Sequence, residues 1–173
     1  STSKVSFPGA GVSALISSPT NIAEVKKHFT IQTIGHDKLN QIRHVRFFKD
    51  AAGVHAHMEK HAAILRPKFE AVLDTLEKEL GGLEIGTWNK PLGGYFIAFD
   101  TLEGCAKRVV GLCKEAGVVM TPAGSTYPYM NDPADTSIRI APTLPTIDEL
   151  KKACEVFVLC VKIASAEKLI EAK

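Results

Sequence analysis

The apolar residues Val54, Met58, Ala62, Leu65, Phe69, Val72, Leu76 and Leu80 recur at steps of three and four. That spacing lines them up as one stripe on a long amphipathic helix, and a stripe of this length must find a partner surface. Pro67 falls inside the run and predicts a kink or a break, because proline has no N–H and its ring crowds the preceding turn. Gly81-Gly82 ends the run.

On either side of this helix the sequence has a different character. Before it, Ser18-Pro19 reads as a helix start, with Ser18 as cap and Pro19 at the first helical position. Ile22, Val25 and Phe29 follow at helical spacing, and Asp37 to Phe48 is a second helical stretch. Val12 to Ile16 is small and apolar and predicts a short buried strand that needs a sheet to join. After Gly81-Gly82, Leu83 to Trp88 and Gly94 to Phe99 predict two strands around the turn Asn89-Lys90-Pro91-Leu92-Gly93. Thr101 is read as the cap of a helix to Ala116, closed by Gly117. Val118 to Thr121 and Thr136 to Ala141 are read as strands. Thr146-x-x-Glu149 is a capping box opening the last helix. The order strand–strand–helix–strand–strand–helix predicts a compact α/β lobe with a small, mainly antiparallel sheet.

Composition excludes more than it proposes. With 21 Lys and Arg against 19 Asp and Glu, the net charge is +2 and the charges are interspersed. That gives no footprint for nucleic acid or a membrane surface. No apolar run approaches the roughly 20 residues needed to cross a bilayer. Cys105, Cys113, Cys154 and Cys160 form no C-x-x-C pair and are expected to be reduced, buried thiols of a cytoplasmic protein. No secretory signal is seen. The sequence lacks an initiator Met and starts inside a motif, so a fragment, an engineered piece or a processed product of a longer chain is expected.

Four places could carry chemistry. Lys4 follows Ser1-Thr2-Ser3 and precedes Pro8-Gly9. A lysine that forms a Schiff base must be held sterically and give up its proton readily. Flanking hydroxyls can bind phosphate oxygens. Alone, these residues equally describe an exposed lysine near a frayed terminus. Arg139 alternates with Ile138 and Ile140 along a strand, so its guanidinium lies opposite a buried pair. Its fork suits a carboxylate, although a solvated edge-strand arginine fits the same pattern. His55, His57 and His61 resemble a metal cluster, but Met58 follows His57 where a zinc helix has glutamate, and no third ligand follows at a suitable spacing. They are read as exposed helix histidines, with no metal. Pro122-Ala123-Gly124-Ser125-Thr126-Tyr127 lacks both P-loop and dinucleotide spacing, and serves as a plain connection or a substrate-side loop.

Taken in order, these pieces resemble one family. Ser-x-Ser-Lys, with Pro-Gly four and five residues after the lysine, resembles the cofactor-lysine motif of fold-type I aminotransferases. Lys90-Pro91-Leu92-Gly93-Gly94-Tyr95-Phe96 resembles the segment that opens their C-terminal small domain. Gly117-Val118-Val119 through Pro122 to Gly124-Ser125 resembles their G-V segment and P-G-S turn, with Ala123 inserted. Ser137-Ile138-Arg139-Ile140 resembles the strand carrying their carboxylate-binding arginine. Thr-Ser-Lys-Val-Ser-Phe-Pro-Gly-Ala-Gly is similar to the MocR-like branch, with its aspartate and alanine–glyoxylate aminotransferases. One departure is Gly11, where the commoner pattern has an arginine on the cofactor phosphate.

The resemblance implies residues 1–50 as the end of a large cofactor-binding domain, 51–82 as a connecting helix and 83–173 as the small domain. It implies transfer of an amino group between an amino acid and a 2-oxo acid with pyridoxal 5′-phosphate. Lys4 would carry the cofactor as an internal aldimine and move the substrate proton. Ser1 and Ser3 would lie near the phosphate, and Arg139 would take the substrate carboxylate. A homodimer is implied for the full-length protein. The family's ring-binding residues precede the lysine, so this chain alone is expected to be inactive. A non-catalytic effector-sensing domain of the same fold, as in MocR-type regulators, and a fold-type I lyase remain alternative readings.

Overall fold

A computed structural model of the chain describes residues 1–171. It separates into two compact units, Ser1–Ala63 and Ile64–Lys173. Among the described residues it has five α-helices and one three-stranded antiparallel sheet.

In the first unit, α1 spans Pro19–Gln32. Ser18 Oγ accepts from the Asn21 amide, satisfying an orphan donor of the first turn, and Pro19 has no N–H to satisfy. The helix buries none of its residues. The second helix, α2, spans Lys38–Phe48, and Asp37 caps it by accepting from Asn40 N at 2.9 Å. Its buried residues are Asn40, His44 and Phe48, one every fourth position, hence one face.

Helix α3 spans Ala51–Leu80 and runs unbroken through Pro67, where the sequence predicts a kink or a break. The carbonyl that Pro67 cannot bond is that of Ala63, the residue at which the two units divide. Downstream, Val72, Leu76 and Leu80 are at most 1% exposed, and this burial holds the helical turns that follow the proline.

The second unit contains the sheet. Strand β1 is Gly86–Trp88, β2 is Ile97–Thr101 and β3 is Ser137–Ile140, in the order β1-β2-β3. The register pairs Ala98 with Arg139 and Phe99 with Ile138. Alternation sends Ile97, Phe99, Ile138 and Ile140 into a core shared with Val72, Leu76 and Leu80. Helix α4 (Ala106–Glu115) adds Val109 and Cys113, and α5 (Ile147–Glu171) adds Phe157 and Val161. The Phe99 ring meets Phe157 edge-on at 5.1 Å and stacks parallel to Trp88 at 6.0 Å. Each such side chain removed from water contributes about 1.5–3 kcal/mol. The small antiparallel sheet with covering helices is the architecture its alternating pattern predicts.

Three local expectations fail for physical reasons. Val12 to Ile16 forms no strand: Val12 bonds to Thr2, but no strand among the described residues pairs along the segment, and Leu15 and Ile16 are exposed. Val118 to Thr121 forms none either; Val118 N instead donates to Cys113 O at 2.8 Å and closes α4. Thr101 does not cap α4, because it is the last residue of β2. The cap comes from Asp135, whose carbonyl accepts from Ala106 N at 2.9 Å and whose Oδ1 accepts from Lys107 N at 3.2 Å. The Thr146–Glu149 box forms as the sequence predicts, with Glu149 Oε2 accepting from Thr146 N at 2.8 Å. All four cysteines are free and buried. No helix among the described residues is long and apolar enough to cross a membrane.

Candidate active site

Lys4 sits at the middle of a single closed turn. Val5 N and Ser6 N both donate to Thr2 O, at 2.8 and 2.9 Å. The turn is also tied outward: Thr2 N donates to Val12 O, and Val12 N to Thr2 Oγ1, both at 2.8 Å. Lys4 itself is exposed. Ser1 and Ser3 stand beside it with their hydroxyls 2.8 Å apart, and Ser3 N donates to Ser1 Oγ at 3.2 Å. Ser3 and Lys4 thus lie in one turn, with Ser1 just before it and bonded to Ser3.

Gly11 passes directly behind this turn. A Cβ there would collide with Ser3 Oγ and lie 3.1 Å from the Ser3 backbone. An arginine at this position is incompatible with the turn as it stands. Ser1 and Ser3 offer a paired set of rotatable hydroxyls, one proton lying between them and the other able to turn outward. That donor set fits a phosphate ester next to an amine.

Sequence reasoning missed α2's part in this site. His44 is buried, and its Nε2 lies 2.7 Å from Ser6 Oγ and 3.1 Å from Thr2 Oγ1. Asn40 Nδ2 donates to Gly11 O at 3.3 Å. Asn40, His44 and Phe48 at steps of four were the signal available in the sequence: a helix face with two polar members must bury them against polar partners.

Arg139 lies in the other unit, on β3. Ile138 and Ile140 are buried while Ser137 and Arg139 are half-buried on the opposite side, as alternation predicts. The guanidinium carbon lies 4.5 Å from the centre of the Phe96 ring, a cation–π distance. Arg139 Nε is buried without a hydrogen-bond partner. An orphaned donor on a stacked, oriented fork has the geometry to accept an anion with two oxygens. Phe96 belongs to the Lys90–Phe96 segment, but its role as a platform was not legible there.

The loop after Pro122 is tied to the same strand. Gly124 N donates to Ser137 O at 3.0 Å, and Thr126 Oγ1 lies 3.0 Å from Ser137 Oγ. Asp132 is buried and accepts from Ala134 N, Thr136 N and Ser137 N at 3.1, 2.9 and 2.8 Å. Those backbone donors hold its carboxyl below the usual carboxylate range. His57 and His61 come together, ring centres 4.4 Å apart, and are half-buried rather than exposed. Among the described residues no group of three His, Cys, Asp or Glu is arranged for a metal.

The whole chain, residues 1–173, matches the family model described as aspartate amino-transferase. An aminotransferase of Mycolicibacterium smegmatis is 47% identical over 170 residues, which cover 98% of this chain and 40% of that protein. The aspartate aminotransferase of Corynebacterium glutamicum is 46% identical over 167 residues, covering 96% of this chain and 39% of it. The chain thus spans about 40% of the length of these curated relatives. A crystal structure of an aspartate transaminase from Corynebacterium glutamicum superimposes with a TM-score of 0.90 at 46% identity, covering 97% of this chain and 40% of that one. The α-aminoadipate aminotransferase of Thermus thermophilus, solved with N-(5′-phosphopyridoxyl)-L-leucine, shares the fold: TM-score 0.75, 20% identity, 95% of this chain and 41% of that one.

Proposed function

The chain belongs to the aspartate amino-transferase family, and on that premise we propose that it supplies the lysine and the carboxylate clamp of a pyridoxal-phosphate-dependent aminotransferase. The reaction moves an amino group between an amino acid and a 2-oxo acid. Pyridoxal phosphate, when bound, supplies an electron sink for the carbanion left at the substrate Cα.

The observation that carries this reading is the turn itself: an exposed lysine, closed at its backbone, beside two hydroxyls that touch each other. Lys4 Nζ is the covalent anchor for the cofactor. As an amine, Lys4 Nζ would take the proton from the substrate Cα and return it on the other side of the exchange. Ser1 Oγ and Ser3 Oγ would hold the phosphate. Arg139 takes the substrate α-carboxylate through Nε and one terminal nitrogen, its plane set by Phe96. A clamp on a free carboxylate favours transamination over loss of that group as carbon dioxide.

Borohydride reduction of the full-length protein, saturated with pyridoxal phosphate, tests the anchor. The cofactor should be fixed irreversibly to the peptide containing Lys4, with loss of visible absorbance. Fixation at another lysine, or none, removes the catalytic reading of this turn.

A further inference from the structure

Two of the three residues that α2 buries are polar, Asn40 and His44. Burying a polar side chain is unfavourable unless it is hydrogen-bonded. Both are spent on residues 2–11, the segment that holds Lys4. We propose that His44 is a positioning residue for Lys4, clamping both ends of the lysine's turn onto α2; this rests on the reading of Lys4 given above.

The hydrogen positions follow from the partners. His44 Nδ1 faces the carbonyl of Asn40 at 2.8 Å, and a carbonyl only accepts, so Nδ1 carries the hydrogen. In the neutral ring Nε2 is then a bare acceptor. Ser6 Oγ at 2.7 Å and Thr2 Oγ1 at 3.1 Å both lie within hydrogen-bond distance of it, so its one lone pair is shared between the two hydroxyls. Thr2 is free to donate because its oxygen already accepts from Val12 N. The Ser6 hydroxyl has two acceptors within reach, Nε2 at 2.7 Å and Thr2 O at 3.1 Å, and the shorter contact is the one to the ring. One imidazole nitrogen therefore holds the residue that opens the turn and the residue that closes it, with Lys4 between them.

Packing supports the same clamp. Phe7, next in the chain, meets the His44 ring edge-on at 5.2 Å and the Phe47 ring at 5.2 Å. The Arg43 guanidinium carbon lies 5.9 Å from the centre of the Phe7 ring. Asn40 adds its bond to Gly11, the residue that passes behind Ser3. Lysine is a flexible four-carbon stem, so the position of Nζ is only as good as the backbone beneath it. Displacement of about 1 Å at a reacting group can cost on the order of a hundredfold in rate.

The test uses the full-length holoenzyme with His44→Phe, which keeps the ring and its aromatic contacts but removes the acceptor, and Ser6→Ala, which removes one oxygen and is safe for folding. His57→Phe, in the same aromatic cluster but with no bond to the turn, is the control. Hydrogen exchange of the amides from Ser3 to Val12 should quicken by about tenfold in both test variants without cofactor. Borohydride should still fix the cofactor at Lys4. The pH at which the visible absorbance changes should move, and kcat should fall by about tenfold with substrate KM changed far less. His44→Gln, which can offer an amide oxygen, should restore part of each. Unchanged exchange shows that the clamp does not exist. Quickened exchange with an unchanged absorbance profile and kcat makes His44 merely structural and overturns the proposal. If borohydride fixes nothing at Lys4 in the unaltered protein, it is the reading of Lys4 that has failed, whatever the exchange rates say.

Discussion

Arg139 brings its fork into position with one nitrogen left over. Its Nε is buried and unpartnered, while the face of the guanidinium rests over Phe96. A carboxylate would give Nε its acceptor and bond a terminal nitrogen alongside, so on the proposed reading the residue gains most when substrate arrives. In the full-length protein Arg139→Ala should raise KM for amino acid and oxo acid alike, by the roughly 2–5 kcal/mol that a desolvated charged contact is worth. Arg139→Lys should not restore affinity, since an ammonium cannot reproduce the fork. Phe96→Leu should cost less, about 0.5–2 kcal/mol in KM, and leave cofactor absorbance unchanged. Steady-state kinetics with both substrates checks all three; full affinity in Arg139→Lys would end the bidentate role. Arg139 was legible because strand alternation places one residue in two on each face. His44 was not, because a polar residue in a helix gives no sign of which way it faces until its apolar neighbour Phe48 is counted with it.

At the scale of elements, local signals were read correctly wherever the element closes its own bonds. The Ser18 cap and the Thr146–Glu149 box both join residues a few positions apart. What failed needed a distant partner. The strand expected at Val12 finds no partner strand among the described residues, only the bonds of Val12 to Thr2, and α4 takes its cap from Asp135, 28 residues after Lys107. Asp132 governs that long connection, fixing Thr136 and Ser137 so that β3 begins in register. Its folded carboxyl titrates below its ordinary value, so its contribution to stability is full above about pH 4 and is lost as pH falls through the lower folded value. Asp132→Asn keeps one acceptor oxygen but no charge. Its urea midpoint should lie below that of the unaltered chain near pH 7, and the gap should close toward pH 2–3. A gap that widens in acid would show that the carboxyl is not held by its backbone donors.

Across the whole molecule, the division at Ala63 separates the lysine turn in one unit from Arg139 and the hydrophobic core in the other. The cysteines fall on one side only. Cys105, Cys113, Cys154 and Cys160 all belong to the second unit and are at most 5% exposed. Burial pushes the Cys113 thiol up to about 12 and the Cys154 thiol to about 11. An alkylating reagent attacks the thiolate, so at pH 8 both barriers, access and charge, must fall before it reacts. Iodoacetamide should therefore label the native chain orders of magnitude more slowly than free cysteine, at a rate set by opening of the second unit. Mass spectrometry of the labelled peptides would read that rate; modification as fast as free cysteine would contradict the burial. The first unit has no thiol and stays silent, so alkylation is a stopwatch started by one half of the chain alone. A small carboxylate that lodges on Arg139 should slow it, while a phosphate compound that meets only the lysine turn should leave it running at the same pace.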